Sequence, residues 1–178
     1  MTDSASSARV RGMISRAVTG KANDATTMQS LQLELFSGQV ADDVEHFQPY
    51  GLSSVPHAGA EGIALAIGGS TGHTVVINVD DRRFRITGLQ DGEVVLYDDM
   101  GHKVYLTRNG IVIDGAGQLV TITNTPKVRV EADIEATGQI KDLCDSAGGR
   151  TMAQMRATYT GHNHTVAGVA SGMPNQPV

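Results

Sequence analysis

Hydrophobic and polar positions change period along the chain, and each change predicts a different element. Val10, Met13, Ile14, Ala17 and Val18 recur at the i, i+3, i+4, i+7, i+8 spacing of one helical face, with Arg9, Arg11, Ser15 and Arg16 on the others. Ser6 or Ser7 can cap the start and Gly20 stands where a helix ends, so the spacing predicts a short N-terminal helix over about 8–19. Its apolar stripe is short and lacks Phe, Trp and Leu, which fits docking on protein better than lying on a membrane. From Met28 the period becomes two: Leu31, Leu33 and Leu35 alternate with Gln32, Glu34 and Phe36, as in a half-buried strand. Pro49-Tyr50-Gly51, Pro56 and Gly59 break the stretch from 42 to 62, and strand-like runs follow at 63–67, 74–79, 83–87 and 94–97. Four or five short strands over about 70 residues fit a small antiparallel barrel or sandwich, the OB-fold being the commonest five-stranded solution.

Beyond these runs the spacing turns regular. Gly92, Gly101 and Gly110 fall nine residues apart, each at a turn signal, with strands expected at 94–96, 104–106 and 111–113 between them. Further strands are expected at 119–123 and 128–130, and Ala132, Ile134 and Ala136 continue the alternation to Gly138. Near-constant spacing of this kind signals a degenerate repeat. A lone solenoid with so few large residues would bury little surface and expose its ends. Three intertwined copies sharing one apolar axis are the remedy this pattern invites.

Composition narrows the function classes. The 178 residues are 40% hydrophobic and 19% charged, which excludes a disordered chain, and the longest apolar run, 63–67, is far too short to span a bilayer. A polar N-terminus without an apolar stretch predicts no secretion signal and a chain soluble where it is made. With 21 Gly, no Trp and 4% aromatics, the composition favours short strands and turns over a single large core. A net charge of −5, with Lys and Arg dispersed, argues against nucleic acid as a partner. Cys144 is the single cysteine, so no intrachain disulfide can form; an ordinary thiol is the expectation. No G-x-S-x-G elbow, P-loop or HExxH is present, and the acid pairs Asp42-Asp43, Asp80-Asp81 and Asp98-Asp99 adjoin strand ends where turn chemistry explains them. The expectation is a protein that is not an enzyme.

His46, His57, His73 and His102 are scattered among loops and turns, but His162-Asn163-His164 is a different arrangement. In a strand, residues i and i+2 share a face, so both imidazoles would project together. Two ligands do not close a metal site. Three copies about a three-fold axis would supply six nitrogens, an octahedral set that suits iron(II), nickel or cobalt better than zinc. An isolated pair is also what two surface histidines look like; its place beyond the repeats, among Gly161, Thr165, Ala167 and Gly168, favours the site because small residues let chains approach closely.

Three stretches of the chain resemble the central spike of Mu-type contractile-tailed phages, the baseplate assembly protein V family. The first is His46-Phe47-Gln48-Pro49-Tyr50-Gly51 with Ser54, Pro56, Gly59-Ala60-Glu61 and Gly68-Gly69. The second is Asp81-Arg82-Arg83 followed by Gly92-Glu93-Val94-Val95-Leu96-Tyr97-Asp98-Asp99, and the third is Met152-Ala153-Gln154-Met155-Arg156 with Tyr159 and His162-Asn163-His164. They span about 120 residues in order.

The resemblance implies an all-β homotrimer with an N-terminal OB-fold barrel, an intertwined triple-stranded β-helix stem and a metal-capped C-terminal apex. Laid on this chain it gives an N-terminal segment with the short helix at 1–27, the OB-fold at 28–98, the stem at 99–155 and the apex at 156–178. It also implies one iron ion per trimer held by His162 and His164, with nickel or cobalt compatible on ligand chemistry alone. The implied role is mechanical: a spike at the baseplate tip of the virion, assembled in the host cytoplasm and driven through the host outer membrane on sheath contraction. Its expected partners are the baseplate hub and the tail tube. The packing of 167–178, rich in Gly and Pro, stays open. The competing reading is a non-enzymatic tail protein that binds a cell-surface receptor or glycan, although the last third offers only Tyr159 for sugar stacking.

Overall fold

The alternation at Leu31 and Leu33 is realised in strand β2 (Ser30–Leu35), where both leucines are buried and the intervening side chains point away from the core. This computed structural model describes residues 13–35 and 38–173. The chain divides into two units, Met1–Val120 and Thr121–Val178. In the first unit β2 belongs to a closed five-stranded barrel with β1 (Ile14–Asn23), β3 (Val40–Phe47), β4 (Glu61–Ala66) and β5 (Thr74–Asp80) in the order β1-β2-β3-β5-β4. All neighbours run antiparallel except β3 and β5, which are parallel. This is an OB-type barrel, and with little helix elsewhere the chain is mostly β.

The predicted N-terminal helix is not formed where the structure describes it: residues 14–19 lie in β1, and 8–12 fall outside the described residues. Strand β1 pairs with β2 on one side and β4 on the other and so closes the barrel. Its inward residues are Ala17 and Thr19, whereas Ile14 and Val18, which carried the helical stripe, are exposed. Thr19 is buried without penalty because its Oγ1 donates to the carbonyls of His57 and Ala60 at 2.8 and 3.2 Å. Gly20, read as a helix end, sits instead where the β1–β2 register slips between Thr19 and Ala22.

The barrel core is small. Ala17, Leu31, Leu33, Val44, Ala64 and Val76 form one buried cluster, and Leu31, Leu33 and Val76 are its largest fully buried side chains. Gly62 allows that economy, since a Cβ there would come within 2.9 Å of the Val76 side chain. His46 on β3 is also buried; its Nδ1–H donates to Gln29 Oε1 at 2.7 Å, while Gln29 Nε2 donates to Asp24 Oδ1 and the Ser54 carbonyl. Burial holds the His46 imidazole below its ordinary pKa, because its charged form would be desolvated.

Residues 83–87, predicted as a strand, form a turn and an irregular segment. Asp81 captures them: its carbonyl accepts from the Phe84 and Arg85 amides, and its carboxylate accepts from the Arg83 amide and guanidinium. A side chain that binds nearby backbone competes with strand pairing. The run at 94–97 is observed as β6 (Val94–Tyr97), but it joins β7 (Lys103–Thr107) and β8 (Gly110–Asp114) in a separate antiparallel meander rather than the barrel. Among the described residues the meander's apolar side chains Val94, Leu96, Leu106, Ile111 and Ile113 stay exposed, Ile111 by 71%.

In the second unit, and in the residues leading into it, the runs at 119–123, 128–130 and 132–136 pair with no strand of the described residues. Leu119, Ile122, Val128 and Ile134 are all exposed, Leu119 by 88%. The order that follows comes from helix α1 (Met152–Gly161) and a hairpin of β9 (Thr165–Val166) and β10 (Val169–Ala170).

Candidate metal centre

Helix α1 sets the approach to the histidine pair. It starts with a reciprocal capping box: Thr151 Oγ1 accepts from the Gln154 amide at 3.1 Å and Gln154 Oε1 accepts from the Thr151 amide at 2.8 Å. The helix gives way at His162, whose backbone is extended (φ −78°, ψ 153°). His162, Asn163 and His164 therefore lie between a helix and a short strand, not within a strand as the spacing predicted. The extended backbone preserves the consequence. The two rings stand together with centroids 5.0 Å apart and planes at 86°.

Each histidine is anchored by a different element. The His162 Nδ1 lies 2.5 Å from the Tyr159 carbonyl oxygen. A carbonyl only accepts, so Nδ1 carries the proton and the lone pair of the neutral ring is on Nε2. The Tyr159 ring also lies against His162, centroid to centroid 5.2 Å. At His164 the backbone amide donates to Ser171 Oγ at 2.8 Å, and the Ser171 amide donates to the His164 carbonyl at 2.6 Å. The hairpin turn between them is tight: Ala167 and Gly168 both have positive φ, 50° and 86°, as a two-residue type I′ turn requires.

This donor set fits a transition metal. A metal–imidazole bond of about 2.1 Å puts the ion about 3.3 Å from the ring centroid, so rings 5.0 Å apart are within reach of one ion. A backbone carbonyl on the distal nitrogen is the usual way a ligating histidine has its tautomer fixed. Among the described residues no third His, Cys, Asp or Glu gathers with the pair.

The remaining candidates are engaged elsewhere. His57 Nε2 pairs with Asp99 Oδ2 at 2.9 Å and its ring packs on Phe84, which Arg83 covers from 5.4 Å. His102 Nδ1 pairs with Asp98 Oδ2 at 2.6 Å, and that contact holds the Asp98 carboxyl below the usual carboxylate range. Asp81 is pulled down to about 2 by its hydrogen bonds from Arg83. Asp42 accepts from Gln32 at 2.7 Å, beside a slip in the β2–β3 register, where Asp43 has φ 53°. His73 ends a turn, its amide donating to the Ser70 carbonyl at 3.1 Å, and Cys144 is an exposed thiol. Tyr159 and Ser171 were not legible as parts of the site, since one acts through its carbonyl and the other through a hairpin partner seven residues away. The helix did leave a signal, the Thr151-x-x-Gln154 spacing of a capping box.

Comparison with known proteins places the chain in a family. The family model described as Bacteriophage Mu Gp45, N-terminal, matches residues 16–83, which contain all of the barrel but the first two residues of β1. The chain is 39% identical over 164 residues to the Mu-like prophage FluMu protein gp45 of Haemophilus influenzae, covering 92% of this chain and 80% of that one. It is 35% identical over 134 residues to the baseplate puncturing device gp45 of Escherichia phage Mu, covering 71% of this chain and 68% of that protein. With the barrel matched by the family model and two relatives, 39% and 35% identical, each covered over more than two thirds of its length, the chain belongs to the bacteriophage Mu Gp45 family of Mu-type central spike proteins.

Proposed function

We propose that this protein is the trimeric membrane-piercing spike at the baseplate tip of a contractile phage tail, its apex rigidified by one metal ion bound to His162 and His164 of three chains. The observation that carries this reading is the imidazole pair: two rings 5.0 Å apart, one with its tautomer set by a carbonyl, and no further ligand gathered with them among the described residues. A site with two ligands is completed most simply by other copies of the same two. When bound, the ion supplies a cross-link among three chain ends that would otherwise fray, and its binding energy becomes folding energy. Iron is the metal expected from the family, and an all-imidazole set also accepts nickel or cobalt.

Two further features support the trimer. The meander β6–β8 and the runs from Leu119 to Ile134 expose apolar side chains among the described residues, as strands of an intertwined β-helix stem would. Along α1, Met152, Met155 and Tyr159 are exposed at spacings of three and four, and His162 continues the series. Three such stripes meeting on an axis would lead directly to the ligands. The OB-type barrel would contact the hub and tail tube, and the role is mechanical rather than enzymatic. The relative from Escherichia phage Mu is named a baseplate puncturing device, which accords with this assignment and with a place in the virion tail.

Native mass spectrometry of the full chain tests the proposal. Three chains plus one transition-metal ion is the expected mass. Replacing His162 and His164 together by Ala should release the ion and leave barrel amide protection unchanged. A metal-free monomer would overturn both trimer and site, and a double variant that kept stoichiometric metal would overturn the ligand assignment.

A further inference from the structure

We infer that Ser171 is a positioning residue for the metal centre: its hydroxyl stands in for a strand carbonyl and locks the backbone of His164. The inference rests on the metal reading of His162 and His164 given above. In the β9–β10 hairpin Ala170 pairs with Thr165. One step further out, Ser171 faces His164. A regular antiparallel pair at this point would exchange two backbone bonds, N–H to carbonyl in each direction. Only one is of that kind here, the Ser171 amide donating to the His164 carbonyl at 2.6 Å. The reciprocal bond runs from the His164 amide to Ser171 Oγ at 2.8 Å, and the hydroxyl donates onward to the Gly172 carbonyl at 3.1 Å.

Both polar backbone groups of His164 are therefore held by one residue, and the peptide planes on either side of its Cα are fixed. What remains free is the rotation of the imidazole itself, which limits the directions from which the ring can approach an ion. His162 needs no such side chain, because the end of α1 holds it through the Tyr159 carbonyl. The two ligands thus have unequal support: a main-chain carbonyl and the Tyr159 ring for the first, and a hydroxyl for the second. Replacing Ser171 by a residue without a hydroxyl should leave the first imidazole in place and loosen the second. The loss would be repeated three times around one ion.

The test is made on the full-length protein, stripped of metal and loaded with cobalt(II), whose visible absorption reports the number and arrangement of its donors. Ser171→Thr and Ser171→Val have nearly the same shape and differ in the hydroxyl. The Val variant should lose cobalt to excess chelator about 10- to 100-fold faster than wild type, the usual effect of removing an outer support of a ligand. Its absorption bands should shift, while the Thr variant should match wild type in both respects. Amide protection in the barrel serves as the control for folding. Equal release rates and identical spectra for the Thr and Val variants would overturn the inference and leave the metal site standing, since a residue that merely ends the hairpin would not alter either. A wild-type protein that takes up no cobalt would overturn the metal reading and this inference with it.

Discussion

Leu33→Ala offers the sharpest test of the barrel. Leu33 is fully buried and packs in a cluster with Leu31, Val44, Val76 and the small residues Ala17 and Ala64. The substitution removes about three methyl or methylene groups, worth about 0.8 kcal/mol each in transfer from water. A cavity term adds to this, because Ala17 and Ala64 are too small to fill the space and a barrel closed by hydrogen bonds cannot shrink around it. The sum is about 3–4 kcal/mol, inside the usual range for a buried leucine. Amide hydrogen exchange on the intact protein reads this as a loss of protection of about 100- to 1000-fold across β1, β2 and β5. Glu34→Ala, on the outward side of the same strand, should change protection by less than about 0.5 kcal/mol. Because neighbouring strand residues face opposite ways, a one-residue slip would exchange the two results. Equal effects, or a larger one for Glu34→Ala, would refute the assigned register and with it this account of the core.

Two other outcomes follow from the same geometry. Burial keeps the His46 imidazole below its ordinary value of 6.5, so the unfolded chain binds the proton more readily than the barrel does. Barrel stability from this group is full above about pH 6.5 and declines as pH falls below it. Protection factors of barrel amides measured between pH 7.5 and 5 should fall more steeply in wild type than in His46→Gln, and parallel profiles would count against the buried neutral histidine. At the hairpin, Ala167 adopts a φ of 50°, costly for a residue with a Cβ. Ala167→Gly should stabilise the β9–β10 turn by about 0.5–1 kcal/mol, seen as a severalfold gain in protection of the hairpin amides, whereas a loss would show the turn to be misassigned.

Much of the chain was legible in the sequence where burial and local pattern coincide. Leu31 and Leu33 are hydrophobic and inward, so their alternation predicted β2 directly. The nine-residue spacing of Gly92, Gly101 and Gly110 marked the turns of the meander, and all three have positive φ. The helical reading at 8–19 failed because the inward positions of β1 are occupied by a small residue and a hydroxyl. Ala17 and Thr19 add little hydrophobic signal, and the exposed Ile14 and Val18 supplied a false one. Residues 83–87 were misread for a related reason, since a single residue, Asp81, holds the Arg83 amide with its carboxylate and the Phe84 and Arg85 amides with its carbonyl.

The histidine pair shows the same division. Spacing alone brought His162 and His164 to attention, because an extended backbone puts every second side chain on one side whatever element surrounds it. Sequence also determined the barrel's alternation, the turn glycines of the meander and the family to which the chain belongs. Tertiary structure alone decided that the N-terminal segment closes the barrel as a strand and that His46 is sealed inside it. It likewise decided that the Tyr159 carbonyl sets the tautomer of His162 and that Ser171 holds the backbone of His164. The reason is physical: local sequence records how a residue divides between water and an apolar interior, whereas these four features depend on hydrogen bonds and strand pairs whose partners are fixed only when the chain has folded.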